Sequence, residues 1–488
     1  MVIESLKYKI LQQFGFAPTQ EQGQALDTFV SFLTDRDPQT VMILRGSAGT
    51  GKTSLSGAIV RTLLQIRQKV MLLAPTGRAA KVFSLGSGAP AYTIHRRIYR
   101  EKAFAGVDGQ FSLNDNLYTD TLFMVDEASM IANMGLGGTT FGSGCLLDDL
   151  VKFVYQGHND RLLLIGDKAQ LPPVGEEESP ALSASVMEGY GLKVYECDLN
   201  EVLRQSQSSG ILYNATLIRQ MITHDAVTGL PLIRFKGFAD IVMMPGAELV
   251  ESLGDSYHHV GMDQTMVITR SNKPANIYNN GIRNMVLDRE EELSSGDMLM
   301  IVKNNYFWTE KEKKESGEGS AGAVPAFLAN GDRAKVLRVS NYIELYGFRF
   351  ATLLLQLPDY DDYEMQVTGM LDTLQSEAPA LTHEQQEELF RQVEEDYQHF
   401  VPLKADRMKS IRQDAYFNAL QIKYAYAVTC HKAQGGQWAH VYVDQGYMTD
   451  DMLTPDYIHW LYTAFTRATD KLFLVNWPKE QTCEPTDL

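Results

Sequence analysis

Residues 40–53 constrain the fold of this chain more than any other segment. The apolar run 41–44 meets Gly46-Ser47-Ala48-Gly49-Thr50-Gly51-Lys52-Thr53, which fits G-x-x-x-x-G-K-[ST] at every fixed position, and a helix is expected from Lys52 to about residue 67. A buried strand, a glycine-rich turn and a helix in that order make a loop whose successive N–H groups converge on one phosphate chain. Lys52 then reaches the β- and γ-phosphates, and the Thr53 hydroxyl can sit on Mg²⁺. Such a unit belongs in a parallel sheet with helices between its strands. Further apolar runs at 70–73, 122–125 and 162–165 supply that series, and a second series appears at 266–269, 441–443 and 472–475. Between the members of the second lies a tract, roughly 295–420, of different character. It holds a charged, small-residue stretch at 311–320 that reads as a loop, alternating segments near 333–339 and 342–355 that read as short antiparallel strands, and an acidic, Gln-rich stretch at 383–397 that reads as a helix.

At 488 residues the chain has room for about three compact units. Its 44% hydrophobic and 22% charged content is ordinary for a soluble globular protein. No window approaches a membrane span, and the first residues read as a short amphipathic helix rather than a secretory signal. Cys145, Cys197, Cys430 and Cys483 lie far apart with no C-x-x-C pair, so neither a disulfide framework nor a zinc site is expected and the cytoplasm is the expected compartment. The net charge of −17 argues at first against a nucleic-acid partner. Its distribution does not: residues 1–100 carry 13 Lys+Arg against 5 Asp+Glu, whereas 355–400 carry 12 Asp+Glu against Arg391 alone. Local field decides a nucleic-acid groove more than the total does.

Eighty residues beyond Gly46, the apolar run 122–125 ends in Asp126-Glu127. At a strand tip beside a phosphate loop, Asp126 would hold Mg²⁺ through water and Glu127 would orient and deprotonate an attacking water. The run 162–165 leads into Gly166-Asp167-Lys168-Ala169-Gln170-Leu171-Pro172-Pro173, whose prolines stop any helix and could hold Gln170 at the strand tip as a γ-phosphate sensor.

In order along nearly the whole chain, these and further segments resemble the superfamily 1 helicases of the branch that contains RecD and the phage Dda helicase. Pro18-Thr19-Gln20-Glu21-Gln22 is similar to the family segment whose glutamine, here Gln22, reads adenine. Ala74-Pro75-Thr76-Gly77-Arg78-Ala79-Ala80-Lys81 resembles the motif that grips single-stranded DNA, and Thr93-Ile94-His95 the next DNA-contacting motif. Leu199 to Gln205 resembles the motif carrying an arginine, here Arg204, to the γ-phosphate. Thr429-Cys430-His431-Lys432-Ala433-Gln434-Gly435 is similar to the family's T-x-H-K-x-Q-G, and Tyr462 to Ala468 to its last motif, with Arg467 as second arginine finger.

The resemblance implies an α/β fold with two RecA-like parallel-sheet motor domains, 1–200 for the first and 201–299 with 421–488 for the second. It also implies a β-hairpin wedge inserted at 97–120 and a small barrel of the Src-homology-3 type at 300–420. The expected activity is an ATP- and Mg²⁺-dependent DNA helicase moving 5′→3′ on single strands, acting as a monomer on single-stranded DNA and its junctions with duplex, in DNA repair or recombination. Lys52, Glu127, Gln170, Arg204 and Arg467 would be catalytic, and Pro75, Thr76, Arg78, Thr93, His95, Thr429, His431 and Lys432 would line the strand. Phe104 and Phe111 flank Gly106-Val107-Asp108-Gly109, a hairpin signal, and one of them is expected near the wedge tip. The aromatic stretch Asn305-Tyr306-Phe307-Trp308 and Trp438 are expected in the core rather than on bases. The acidic stretch 355–400 departs from a DNA-facing surface and either faces away or contacts a protein partner. The glycines of 135–144, five in ten residues, read as a loop of no assigned role. The alternatives are an RNA-directed motor of the same superfamily, a RecD-like subunit active only within a nuclease complex, and a nucleotide-gated switch without motor action.

Overall fold

The computed structural model describes residues 2–105, 108–135, 142–201, 208–223, 229–316, 324–325, 327–449 and 452–483. The first unit contains β1 (Thr40–Gly46), β2 (Lys69–Ala74), β3 (Ala91–Thr93), the hairpin β4 (Tyr99–Ala105) and β5 (Asp108–Leu113), then β6 (Thr121–Val125), β7 (Arg161–Gly166) and β8 (Lys193–Leu199). Apart from the hairpin, these make a six-stranded parallel sheet in the order β3-β2-β6-β7-β1-β8. β6 and β7 are buried along their whole length, as parallel strands covered by helices on both faces must be. Separate apolar clusters fill the two faces, one around Leu26, Phe29 and Leu63, the other around Phe123, Phe153 and Leu182.

The second sheet joins β9 (Ile241–Met244) and β10 (Thr265–Thr269) with strands that follow a long insertion. The insertion is a closed barrel of β11 (Met298–Ile301), β12 (Arg333–Leu345), β13 (Phe348–Leu357), β14 (Tyr363–Met370) and β15 (Leu420–Tyr424). After it come β16 (Ala427–Thr429), β17 (Trp438–Asp444) and β18 (Ala468–Val475), giving the parallel order β16-β10-β17-β18-β9. The α/β class with two RecA-like sheets, a hairpin in the first and a barrel in the second is thus the architecture present. Where two short strands were expected near 333–355, β12 runs through Leu345. Register shifts between Val336 and Arg338 and between Ser340 and Ile343, with Asn341 at φ 51°, bend it so that the barrel closes.

One continuous apolar cluster joins barrel residues such as Leu299, Val336 and Leu353 to Ile268, Val443 and Leu474 of the second sheet. Behind it, the fully buried Asp297 accepts hydrogen bonds from Arg283 (3.1 Å), Arg289 (2.6 Å), the Tyr426 hydroxyl (2.8 Å) and the Ser294 amide (2.7 Å). The barrel therefore shares its core with the second sheet. Trp308 and Trp438 are buried, as expected of core aromatics. The acidic stretch forms the helix His383–Gln398, capped by Thr382, with Leu389 and Val393 turned onto Phe348, Phe350 and Ile411. Cys145, Cys197 and Cys430 carry free thiols.

Candidate nucleotide and nucleic-acid site

Phosphate-loop geometry follows from the residues predicted for it. Gly49 and Gly51 take φ of 77° and 81°, where side chains are strained, and Gly51 opens the helix Lys52–Gln65. A Cβ on Gly46 would lie 2.8 Å from Lys52 Cγ, so the lysine folds across the loop, donating to the carbonyls of Gly46 and of Ser47 (2.9 Å). Gln22 is 1% exposed: its Nε2 donates to the Thr50 carbonyl at 2.9 Å and its Oε1 accepts from the Thr19 amide at 3.0 Å. Both ends of its amide are thus bonded to protein groups, one of them the loop itself.

Asp126 and Glu127 follow β6, one strand removed from Asp167 at the end of β7, on the same edge of the sheet as the loop. Glu127 sits at φ 52°, a left-handed conformation costing of the order of 1–3 kcal/mol that fold context must hold in place. Its N–H donates to Asp126 Oδ1 at 2.9 Å. Burial and the neighbouring Glu127 charge push the Asp126 carboxyl up to about 7, with Lys52 pulling the other way. A desolvated carboxyl beside a second carboxylate fits a divalent cation as its missing counter-charge, and Thr53 adds an exposed hydroxyl oxygen. Among the described residues no three His, Cys, Asp or Glu cluster as a metal cage, so such a cation would draw its other ligands from phosphate and water. Nearby, the buried Gln170 Oε1 and Ser129 Oγ have no partner.

Helices packed on the second sheet, Pro455–Phe465 and Gly210–Thr223, reach this loop. The Tyr462 hydroxyl accepts from the Ala48 amide (3.0 Å) and donates to Asp167 (2.7 Å), while an Arg219 Nη donates to Ser47 Oγ. Neither Tyr462 nor Arg219 was singled out from sequence. Tyr462 lies within a recognised motif, but its partner is 414 positions away, and Arg219 on the helix Gly210–Thr223 carries no motif at all. Arg467 is 3% exposed and spends its guanidinium on the Thr463 and Gly436 carbonyls and the Thr466 hydroxyl, each at 3.1 Å. As found, it is tied within its own unit rather than aimed at the loop. Arg204 lies outside the described residues.

The strand-gripping candidates converge from both sheets. Thr76 caps the helix Gly77–Ser87, and a Cβ on Gly435 would touch its Oγ1 at 3.1 Å. Arg78 stacks over Trp438 (4.1 Å) and donates to the Gln437 carbonyl (2.7 Å). Pro75 follows β2, and Thr93, paired with Ala74, caps the helix carrying His95. Burial pushes the His95 imidazole down to about 4, so it is neutral at physiological pH. Thr429 ends β16, followed by the exposed His431 and by Lys432, which bonds Asn330 of the barrel. Lys81 donates to the barrel's Pro358 carbonyl at 2.6 Å.

In the hairpin, register places Phe104 opposite Gly109 beside the turn and Phe111 opposite Glu101, nearer the base. The Phe111 ring packs on Tyr306 at 5.0 Å, so Phe111 is not a tip residue; the Phe104 side chain and residues 106–107 lie outside what is described. Part of the glycine-rich stretch meets this base: Gly142 donates to the Phe111 carbonyl at 2.8 Å, and Tyr99 donates to Asp149 at 2.7 Å.

Where barrel meets first sheet, Asp332 is 0% exposed, accepting from Tyr360 (2.6 Å) and the Ala329 amide (2.7 Å) and leaving Oδ1 unpaired against Gly77. Burial pushes its carboxyl up to about 7 from 3.8. The native fold thus binds a proton there more tightly than the unfolded chain, so the contribution is full below pH 3.8 and lost as pH rises through about 7. Asp332→Asn should lose less stability between pH 5.5 and 8 than the wild type, by the order of 1 kcal/mol or more. Denaturant melts at the two pH values measure it, and parallel losses would contradict the assignment.

Two family models match the chain: an AAA domain over residues 17–229 and a UvrD-like helicase C-terminal domain over 424–475. An uncharacterised protein of Methanocaldococcus jannaschii is 33% identical over 168 residues, 32% of this chain and 13% of that protein. An uncharacterised protein of Acanthamoeba polyphaga mimivirus is 21% identical over 90% of this chain and 96% of its own length. The ATP-dependent RecD2 DNA helicase of Deinococcus radiodurans is 30% identical over 157 residues, 32% of this chain and 18% of that protein. The chain therefore spans a minor share of the archaeal and RecD2 relatives and nearly all of the viral one. Among solved structures, a Pif1 helicase from Bacteroides in complex with ADP-AlF3 and ssDNA (13% identity, 96% of this chain, 95% of that chain, TM-score 0.47) and Pif1 from Candida albicans (16%, 96%, 97%, 0.42) are similar. No helix among the described residues is long and apolar enough to cross a membrane.

Proposed function

We propose that this chain is a RecD-like superfamily 1 helicase, an ATP-dependent DNA helicase that moves 5′→3′ on single-stranded DNA and opens duplex ahead of it, a reading supported by the AAA and UvrD-like helicase C-terminal domain matches and by the similarity to the RecD2 helicase. One observation carries the reading: the phosphate loop is touched from the second sheet, by Tyr462 at Ala48 and by Arg219 at Ser47. A nucleotide there is bounded by both sheets, so its turnover changes how they meet.

The loop amides from Gly46 to Thr53 and Lys52 would hold the phosphates, with Thr53 and Asp126 holding Mg²⁺, which when bound supplies positive charge to the phosphate oxygens. Glu127 orients and deprotonates the attacking water, and Gln170 accepts a hydrogen bond from that water through the amide oxygen now left without a partner, while its amide nitrogen is the end that can donate to the γ-phosphate. Positive charge at the γ-phosphate comes from Arg204 and Arg467 in their family roles, and Arg219 already stands at the loop. For Arg467 that requires exchanging its contacts to Thr463 and Gly436. Thr76, Arg78, Thr93, Thr429, His431 and Lys432 hold the strand through its backbone, without reading sequence. Polarity rests on the likeness of 74–81 to the RecD motif. We further propose action as a monomer, with the acidic stretch 355–400 as the surface for a protein partner. Stimulation of ATP hydrolysis by poly(dT), with poly(U) as competitor, tests the substrate: the DNA reading predicts stimulation that RNA competes for poorly, and preferential RNA stimulation would overturn it.

The hairpin β4–β5 is proposed as the wedge, anchored by Phe111 on Tyr306 and by Gly142 on the Phe111 carbonyl. A methyl on Gly142, at φ 47°, would lie 2.0 Å from Asp149 Oδ2 and 2.7 Å from Tyr99 Cε1. Gly142→Ala should therefore slow unwinding several-fold while single-strand-stimulated ATPase stays near wild type. Equal loss of both activities in paired assays would count against the wedge.

A further inference from the structure

Tyr462 carries the tie between the second sheet and the backbone of the phosphate loop. It lies near the C-terminal end of the helix Pro455–Phe465 and is 1% exposed. Its hydroxyl proton goes to Asp167 Oδ2 at 2.7 Å, and its oxygen accepts the Ala48 N–H at 3.0 Å. The partner carboxylate is fixed, because Asp167 Oδ1 accepts from the Ala169 amide at 3.0 Å. The flanking strip is fixed from the same side: the Leu171 amide donates to Thr463 Oγ1 (2.8 Å), Gln434 donates to the Leu171 carbonyl (2.8 Å), and His459 Nδ1 lies 2.9 Å from the Ala169 carbonyl. Burial and the Asp167 charge hold the phenol far above its ordinary titration range, so it remains a donor to Asp167 and an acceptor for Ala48.

The Ala48 N–H has a single proton, and it lies in the middle of the loop whose amides cradle phosphate. We propose that Tyr462 is a positioning residue that competes with nucleotide phosphate for the Ala48 N–H, so that phosphate arrival frees the hydroxyl from the loop while Asp167 retains it. Asp167 and Tyr462 then stay together as the joint between sheets, and only the link to the loop is exchanged. The inference rests on the reading of residues 46–53 as the ATP site. It gives nucleotide binding a direct effect on the contact between sheets, through one hydrogen bond rather than through a moving segment.

Tyr462→Phe removes the competitor but keeps the ring in its packing. Titration with N-methylanthraniloyl-ADP and Mg²⁺ should show binding about 3- to 10-fold tighter than wild type, the worth of one neutral hydrogen bond, together with a lower KM for ATP. A residue of merely structural importance would weaken binding on removal; unchanged or weaker affinity in a cooperatively melting variant overturns the proposal. If the phenylalanine variant does not fold, 3-fluorotyrosine placed at position 462 alone reports on the otherwise unaltered chain. Its fluorine resonance should shift on saturation with the same analogue, and an unmoved resonance overturns the proposal. Failure of the wild type to bind the analogue at all would overturn the ATP-site reading itself, and this inference with it.

Discussion

Lys52→Ala is expected to lower ATP turnover by roughly 10²–10³-fold or more, with single-stranded DNA binding unchanged. The lysine is the one mobile cation of the loop, and its ammonium now rests on the Gly46 and Ser47 carbonyls at the loop's mouth. A phosphate chain entering the loop meets that ammonium first, and in the transition state the developing charge on the transferred phosphoryl group falls to it. The side chain is only half-buried and its nearest contacts are with the loop itself, so truncation leaves the sheet core intact. The strand-gripping residues stand on other strand tips, after β2, β3 and β16, which is why DNA affinity should survive. Steady-state ATPase with saturating oligo(dT), set beside fluorescence anisotropy of a labelled oligonucleotide, separates the two. Retained turnover would remove the phosphate loop from the catalytic centre.

Glu127→Gln should be nearly as damaging, by about 10²–10⁴-fold in kcat, but by a different route. The substitution preserves size and hydrogen-bonding reach while deleting the base, so affinity for Mg²⁺-ATP should hold or rise. Glu127 is the group to test because the fold keeps it at φ 52° after β6, a conformation a side chain adopts only at a cost. Asp126, one residue earlier, is half-buried at the same strand tip, and its desolvated carboxyl beside Glu127 is proposed as the cation ligand. A rapid-quench experiment in which Glu127→Gln binds ATP but shows no burst of ADP would match this division of labour. A fall in affinity with kcat preserved would reverse the two roles.

What was legible in the sequence follows from how each element is buried. β1, β6 and β7 are covered on both faces, so their residues form uninterrupted apolar runs that can be read directly. β8 escaped notice because, at the sheet edge, it alternates exposed Lys193 and Glu196 with half-buried Val194 and Cys197. β3, only Ala91–Thr93, is too short to leave a pattern. The two segments expected near 333–355 are β12 with its bulge and β13; a bulge looks like a turn in sequence because its residues stop alternating. At the site, the loop, Asp126 and Glu127 were legible since each is fixed by local chemistry at a strand tip. Tyr462 and Arg219 were not, because what defines them is a partner across the cleft. Gln22 and Arg467 were assigned ligand-facing roles by resemblance, and in the fold both are buried and satisfied by protein groups.

The barrel adds a point that neither motif nor periodicity contained. It shares one apolar core with the second sheet, and meets the first unit through the polar contacts of Lys81 on Pro358 and Asp332 against Gly77 and through the ring contact of Tyr306 with Phe111 of the hairpin. Lys432 on Asn330 extends the same polar seam from the second sheet's strand-gripping motif. The polar contacts each involve a residue of a motif proposed to grip the strand, so on that reading nucleic acid would compete with the barrel for Lys81 and Lys432.

Unwinding of matched duplexes that differ only in carrying a 5′ or a 3′ single-stranded tail, with purified protein and Mg²⁺-ATP, tests the central claim most directly. The account predicts strand separation of the 5′-tailed duplex, abolished by Lys52→Ala, and none of the 3′-tailed one. Unwinding of the 3′-tailed duplex alone, or ATP-independent separation of either, would contradict it.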